Sequence, residues 1–221
     1  MTLQRYETNF KTLPPETLDA WRDIPPAIVS DCMNRTHFMA AAIKPVKPGI
    51  PLVGQARTVT SMVGDNGISH AAIPLMEKGQ VLVIDAGGYD DVAVWGGIMT
   101  RAAMARSVAG VVIDGGVRDI AEIRELGFPV YARAHVPSGP HKGFGGIIDG
   151  PISCAGCPVK PGDIVIGDDD GVAVVPLEWA DDMLAASREK LAQEKDTLKQ
   201  IAEGKTSAEI LGIGDVEIIG G

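Results

Sequence analysis

Two short runs of branched aliphatic residues, Val81-Leu82-Val83-Ile84 and Val111-Val112-Ile113, constrain the fold more than any other feature. Each is too short for a helix and too uniformly apolar for a half-exposed strand, so both read as strands buried on two faces. Each ends in an aspartate followed by glycines, Asp85-Ala86-Gly87-Gly88 and Asp114-Gly115-Gly116. Between them, Gly96-Gly97 opens an Ala/Met-rich run, Ile98 to Ser107, with helical character. Strand, helix, strand at this spacing predicts an α/β fold, and 221 residues suffice for one domain over the whole chain, 1–221, with a substantial core.

The rest of the chain fits that frame. Residues 14–35 read as two short helices split by Pro25-Pro26, and Gln55 to Ser61 alternates like a half-buried strand. Gly64-Asp65-Asn66-Gly67 is a turn by composition before a helical run, Ile68 to Glu77. Asn66 and His70 can reach a pocket, although turn chemistry explains the asparagine and a lone helical histidine is most often structural. Ser138 to Gly150 reads as a glycine-rich loop, with His141 and Lys142, that covers a site or forms a plain hairpin. Asp163 to Gly167 and Val172 to Pro176 read as a hairpin whose acids, Asp168 to Asp170, suit a tight turn better than a metal. Leu177 to Glu203 is a long helix with Leu177, Leu184, Leu191 and Leu198 seven apart.

A net charge of −9 with no Lys/Arg cluster argues against a nucleic-acid surface. No apolar run approaches a membrane span, and the first residues lack the apolar core of a signal peptide, so the expectation is a cytoplasmic protein without a membrane partner. Three cysteines, Cys32, Cys154 and Cys157, imply no closed disulfide framework. Cys154-Ala155-Gly156-Cys157 has CxxC spacing but lacks further ligands and a following helix, which favours small buried hydrophobes.

The chemistry concentrates at Gly115-Gly116-Val117-Arg118-Asp119. A strand end beside a glycine-opened helix offers free N–H groups and a positive dipole end to an anion. Arg118 supplies a planar fork for a carboxylate, and Asp119 a hard oxygen for a Mg²⁺-like ion. Taken singly, Asp119-Ile120-Ala121-Glu122 is a capping box, Arg118 a structural ion pair, and Gly96-Gly97 a turn.

The combination of Gly96-Gly97-Ile98-Met99 with Gly115-Gly116-Val117-Arg118-Asp119 resembles the substrate loop and Arg-Asp pair of class II pyruvate aldolases. These are the 4-hydroxy-4-methyl-2-oxoglutarate/4-carboxy-4-hydroxy-2-oxoadipate aldolases, which share a fold with the RraA-like regulators of ribonuclease E. The resemblance runs from about Ile28 through Pro176, with one departure: the family carries an acid where this chain has Gly97.

That resemblance implies a compact layered β/β/α domain with a long C-terminal helix, assembled as a homotrimer or homohexamer. It implies retro-aldol cleavage of a small 2-oxo acid to pyruvate and a second 2-oxo acid, with Mg²⁺ or Mn²⁺ ligated by Asp119 and oxaloacetate decarboxylation on the side. Gly96, Gly97, Ile98, Met99 and Arg118 would bind substrate, the backbone N–H groups at 97 to 99 clamping its carboxylate. Glu194, an acid on the apolar stripe of the last helix, would reach a neighbouring subunit's metal-bound waters. A dedicated oxaloacetate decarboxylase and a non-enzymatic RraA-like protein binder are the alternatives.

Overall fold

A computed structural model describes residues 2–217 and 219. In chain order the elements are β1 (Leu3–Arg5), α1 (Pro15–Asp19), α2 (Pro26–Cys32), β2 (Lys44–Pro45), β3 (Leu52–Ser61), α3 (Gly67–Ala72), β4 (Gln80–Trp95), α4 (Gly97–Ala105), β5 (Gly110–Val117), α5 (Ile120–Leu126) and β6 (Val130–His135). They continue with β7 (Gly146–Ile148), β8 (Ile152–Cys154), β9 (Cys157–Val159), β10 (Ile164–Asp168), β11 (Gly171–Val175), α6 (Ala180–Ala202) and α7 (Ser207–Leu211). The fold is mixed α/β with a long helix near its C-terminus, as the sequence implies.

The aliphatic runs form the centre of a nine-stranded sheet ordered β1-β7-β3-β4-β5-β6-β2, in which β3, β4, β5 and β6 are parallel. The hairpin β10–β11 adds antiparallel to the start of β3. Because successive side chains of a strand point to opposite faces, Leu82, Ile84, Val111 and Ile113 enter one core, while Val81, Val83 and Val112 enter another. Helices α3, α4 and α5 cover the first face through Ile68, Met99 and Ile123. The β8–β9 ribbon covers the second through Ile152, Cys154, Cys157 and Val159.

Double coverage corrects the reading of Gln55–Ser61 as half-buried: Gln55, Arg57 and Thr58 are all buried. They can be, because each is satisfied. Gln55 Nε2 donates to the carbonyls of Lys11 and Gly162, and Thr58 Oγ1 to that of Gly150. Arg57 makes a bidentate pair with Asp149, Nε to Oδ1 at 2.6 Å and Nη2 to Oδ2 at 2.5 Å, with side chains 6% and 0% exposed.

Other boundaries moved for local reasons. The helix expected to run to Glu77 stops at Ala72, and Pro74, which has no N–H to donate, sits in a 3₁₀ turn over Ile73–Leu75. The stretch Ser138–Gly150 holds a strand after all, since β7 pairs with both β1 and β3. The β10–β11 hairpin is as expected, and its acids make turn contacts: Asp168 Oδ1 accepts from Asp170 N at 2.9 Å, and Asp169 Oδ1 from Gly49 N at 2.7 Å.

Helix α6 lays Leu184 and Leu191, with buried Ala180 and Ser187, against a third core formed by α1, α2, β10 and β11. Beyond Leu191 it leaves that core, so Leu198 and Ile201 of the same stripe are exposed. Among the described residues no helix is long and apolar enough to cross a membrane.

Candidate functional site

The site begins with an irregularity. Strand β4 pairs with β5 in register through Asp85–Asp114 and then slips at three places, so that Tyr89, Ala93 and Trp95 face Gly115, Gly116 and Val117. The excess length brings the end of β4 level with that of β5, Trp95 against Val117, and sets Gly96-Gly97 beside Arg118-Asp119. Arg118 N donates to Trp95 O at 3.1 Å, and Asp119 Oδ2 accepts from Gly97 N at 2.9 Å. Arg118 Nε stands 3.8 Å from that same oxygen. The approach leaves no room for a side chain at Gly96, where a Cβ would lie 2.6 Å from Asp119 Oδ2. Trp95 Nε1 donates to Thr100 Oγ1 at 2.9 Å, which in turn donates to Gly96 O at 3.0 Å, fixing the first turn of α4.

The capping-box reading of Asp119 fails. Asp119 has left-handed backbone, φ 60° and ψ 38°, and its carboxylate caps nothing on α5. Glu122 pairs instead with Arg101, Oε1 to Nε at 2.7 Å. Its carboxylate fills the room beside Gly97, where a Cβ would come 2.6 Å from Glu122 Cδ. The geometry therefore gives Gly97 a packing reason of its own.

The facing wall is stapled by Asp65. Its buried carboxylate accepts from Gly67 N through Oδ1 at 2.8 Å, and from Gly143 N and Phe144 N through Oδ2 at 2.8 and 3.1 Å. Asn66 N donates to His141 O, and Ala93 N to Ser138 O, completing the tether of the glycine-rich loop. Between the walls lies a cleft of about 100 Å³ lined by Asn66, His70, Trp95, Gly96, Ile98, Met99, Arg118, Asp119, Pro140 and Lys142.

Of the residues singled out from sequence, Gly96, Ile98, Met99, Arg118 and Asp119 thus converge, and Asn66, His70 and Lys142, read as able to reach or cover a pocket, line it with them. Gly97 supports the cleft from behind, its N–H engaged by Asp119 and not free to clamp a ligand. The helix end still presents the N–H groups of Ile98 and Met99. Glu194 is exposed on α6 and lines no part of its own chain's cleft. Asp65, which braces the wall, and Pro140, which lines it, carry no such reading from sequence. The only advance signal was a turn motif and a glycine-rich loop, with nothing to show that they meet.

Arg118 and Asp119 are 43% and 42% exposed, open to a ligand from the cleft side. Burial first, and Lys142 second, lower the pKa of His70, which favours its neutral form at pH 7. Among the described residues no group of three or more His, Cys, Asp or Glu side chains can hold a metal. A closed protein cage is therefore absent there. Asp119 Oδ1 accepts no hydrogen bond among the described residues, leaving one hard oxygen unpaired on a side chain 42% exposed. One such donor fits an ion of the Mg²⁺ type, which keeps several waters and takes one or two carboxylates plus substrate oxygens.

Similarity to known proteins covers both fold and cleft. A Halalkalibacterium halodurans protein, named provisionally as a 4-hydroxy-4-methyl-2-oxoglutarate aldolase, is 34% identical over 183 residues, 83% of this chain and 87% of that one. A solved, uncharacterized protein from Pseudomonas syringae superposes with a TM-score of 0.79 at 27% identity, covering 91% of this chain and 95% of the other. The RNA-processing inhibitor RraA from Thermus thermophilus superposes at 0.64 with 30% identity, over 70% and 93% of the two chains. The model of the RraA-like family, described as Aldolase/RraA, matches residues 26–174, which include every residue lining the cleft, and the chain belongs to that family.

Proposed function

We propose that this chain is a divalent-metal-dependent pyruvate aldolase, cleaving 4-hydroxy-4-methyl-2-oxoglutarate or 4-carboxy-4-hydroxy-2-oxoadipate to pyruvate and a second 2-oxo acid. The observation that carries the reading is the convergence on one cleft of Arg118, a single solvent-facing carboxylate at Asp119, and the free N–H groups opening α4. Breaking the C3–C4 bond leaves a carbanion at C3 whose charge must spread onto the 2-keto oxygen. In this reading Arg118 would hold the keto oxygen, while the Ile98 and Met99 N–H groups would receive the C1 carboxylate. A Mg²⁺ or Mn²⁺ ion on Asp119 would supply Lewis-acid polarisation of the same keto group.

Loss of CO₂ from oxaloacetate generates the same carbanion, so decarboxylation accompanies the aldolase reaction. In a homotrimer or homohexamer, Glu194 from a neighbour would stand near the Asp119 site. The exposed stripe of α6 beyond Leu191 supports such a contact. Likeness to the Thermus RraA inhibitor favours a second reading, a protein-binding regulator without turnover.

Pyruvate release from the two tertiary alcohols and from oxaloacetate, with Mg²⁺ or Mn²⁺ against EDTA, separates these readings. Metal-dependent release from the tertiary alcohols is expected, and Arg118→Lys should lower both kcat and kcat/KM, because an ammonium cannot reproduce a bidentate fork. Release from oxaloacetate alone would make the chain a decarboxylase. No release from any of the three with metal would leave the regulator.

A further inference from the structure

The β8–β9 ribbon carries two thiols whose placement does more than fill a core. Cys154 and Cys157 are register partners across a two-residue turn, Ala155-Gly156, in which both residues have positive φ, 49° and 79°. Such a turn closes an antiparallel hairpin without splaying its strands. Residues directly opposite in an antiparallel pair have Cα atoms about 4.5–5.5 Å apart, inside the roughly 4.4–6.8 Å that a disulfide spans. Their side chains also point to the same face. Here both enter one core, 0% and 1% exposed. Their own hydrogen bonds are weak: Cys154 Sγ donates to Ile84 O and Cys157 Sγ to Pro158 O, each at 3.6 Å, so a disulfide would forfeit little.

The turn is pinned, whereas the strands are only laid down. Ala155 N donates to Asp114 Oδ2 at 2.8 Å, and Ala155 O accepts from Ala40 N at 2.9 Å. The strands, three residues each, make a two-stranded sheet of their own that rests on the nine-stranded sheet through its side chains. A ribbon of that size is marginal alone, and a unit so held opens without global unfolding. Burial keeps both thiols protonated at neutral pH, so the closed ribbon shields them and an opened one exposes a thiolate.

We propose that Cys154 and Cys157 are a reversible dithiol–disulfide site, oxidised by a small disulfide of the glutathione type while the ribbon is lifted and sheltered once it recloses. One sulfur, as thiolate, attacks the oxidant's S–S bond and expels a glutathione thiolate; the other attacks the mixed disulfide and expels the second. One S–S bond forms and one breaks, two electrons pass from the pair to the oxidant, and the two thiol protons end on the two glutathiones. Cys32, half-buried on α2, packs against a different core and takes no part. The site is independent of the reaction proposed above.

The test measures the thiol–disulfide equilibrium of the wild-type chain in buffers of reduced and oxidised glutathione at pH 8, approached from both the reduced and the oxidised protein. Acid quench, alkylation and peptide mass mapping should show Cys154 joined to Cys157 in the folded chain, and dithiothreitol should restore both thiols. The deciding quantity is the ratio of this equilibrium constant in the folded chain to that in denaturing urea. A fold that holds the sulfurs in register should favour the bond by about tenfold or more over the loose chain, which the thermodynamic cycle returns as about 1.4 kcal/mol of added stability in the oxidised form. Bond formation should also quicken in urea well below the unfolding midpoint, as a site that reacts from an opened ribbon requires. A ratio of one or less would overturn the site, as would a folded chain that gains glutathione at Cys154 or Cys157 without an internal bond. A rate that rises only with global unfolding would overturn the lifted ribbon.

Discussion

Removing the Asp65 carboxylate should loosen one wall of the cleft while leaving the sheet intact. Asp65→Ala deletes three acceptances at once, from Gly67, Gly143 and Phe144. A hydrogen bond to a charged group contributes about 1.5–3 kcal/mol when water cannot replace it. Gly67 is half-buried and keeps most of that figure, while Gly143 and Phe144 are exposed, so water recovers much of theirs. Deleting a wholly buried carboxylate also removes its desolvation cost. The sum is a global loss of about 2 kcal/mol, read as a lowered urea midpoint at unchanged m-value.

The local signature is sharper. Native-state amide exchange at Gly143 and Phe144 should accelerate about 10-fold or more, since each 1.4 kcal/mol of lost protection is a factor of ten. Amides of β4 and β5 should slow or quicken only with global stability. With the Gly143–Phe144 segment freed, this wall of the cleft should hold its shape less firmly, raising KM more than it lowers kcat. If the global stability falls but exchange at Gly143 and Phe144 stays as in the wild type, the carboxylate supports the turn alone and the staple is wrong.

Two further outcomes follow from burial. Asp149→Ala strands the Arg57 guanidinium at 6% exposure and should cost about 3–5 kcal/mol in urea unfolding, where a loss under about 1 kcal/mol would mean that water reaches Arg57. Desolvation pushes the Cys157 thiol up to about 12 and Cys154 well above its ordinary value. At pH 8 both therefore stay thiols, and Ellman's reagent should find at most one reactive cysteine, half-buried Cys32, in the native chain and three after denaturation. Rapid reaction of two or more in the native protein would contradict the packing of the β8–β9 ribbon.

What was legible in the sequence was local. The aliphatic runs specify buried strands because no other element holds four branched residues facing two cores, and the glycines before α4 and α5 mark where backbone must approach side chain. Arg118 and Asp119 stand out because they follow such a strand. Asp65 does not stand out, because its partners lie about 80 residues away. Glu122 was misread for the opposite reason: the local pattern is a sound capping box, and a tertiary contact to Arg101 together with the left-handed turn at Asp119 overrides it. The alternation in Gln55–Ser61 gives no warning that its polar residues are buried as well, since their partners, Asp149, Gly150 and Gly162, are contributed by distant loops.

The backbone of Asp119 has a bearing on how this chain would respond to selection. Left-handed backbone costs most L-residues roughly 1 kcal/mol and aspartate less, so glycine at 119 would relax the turn only slightly and would forfeit the hydrogen bond that Asp119 Oδ2 accepts from Gly97 N. Asparagine keeps both the tolerated backbone and an acceptor for Gly97 N, so a campaign that screens variants for heat resistance alone would pass Asp119→Asn, and with it lose the only carboxylate among the described residues that lines the cleft. Heat resistance does not distinguish those two side chains at 119, and only an assay at the cleft does.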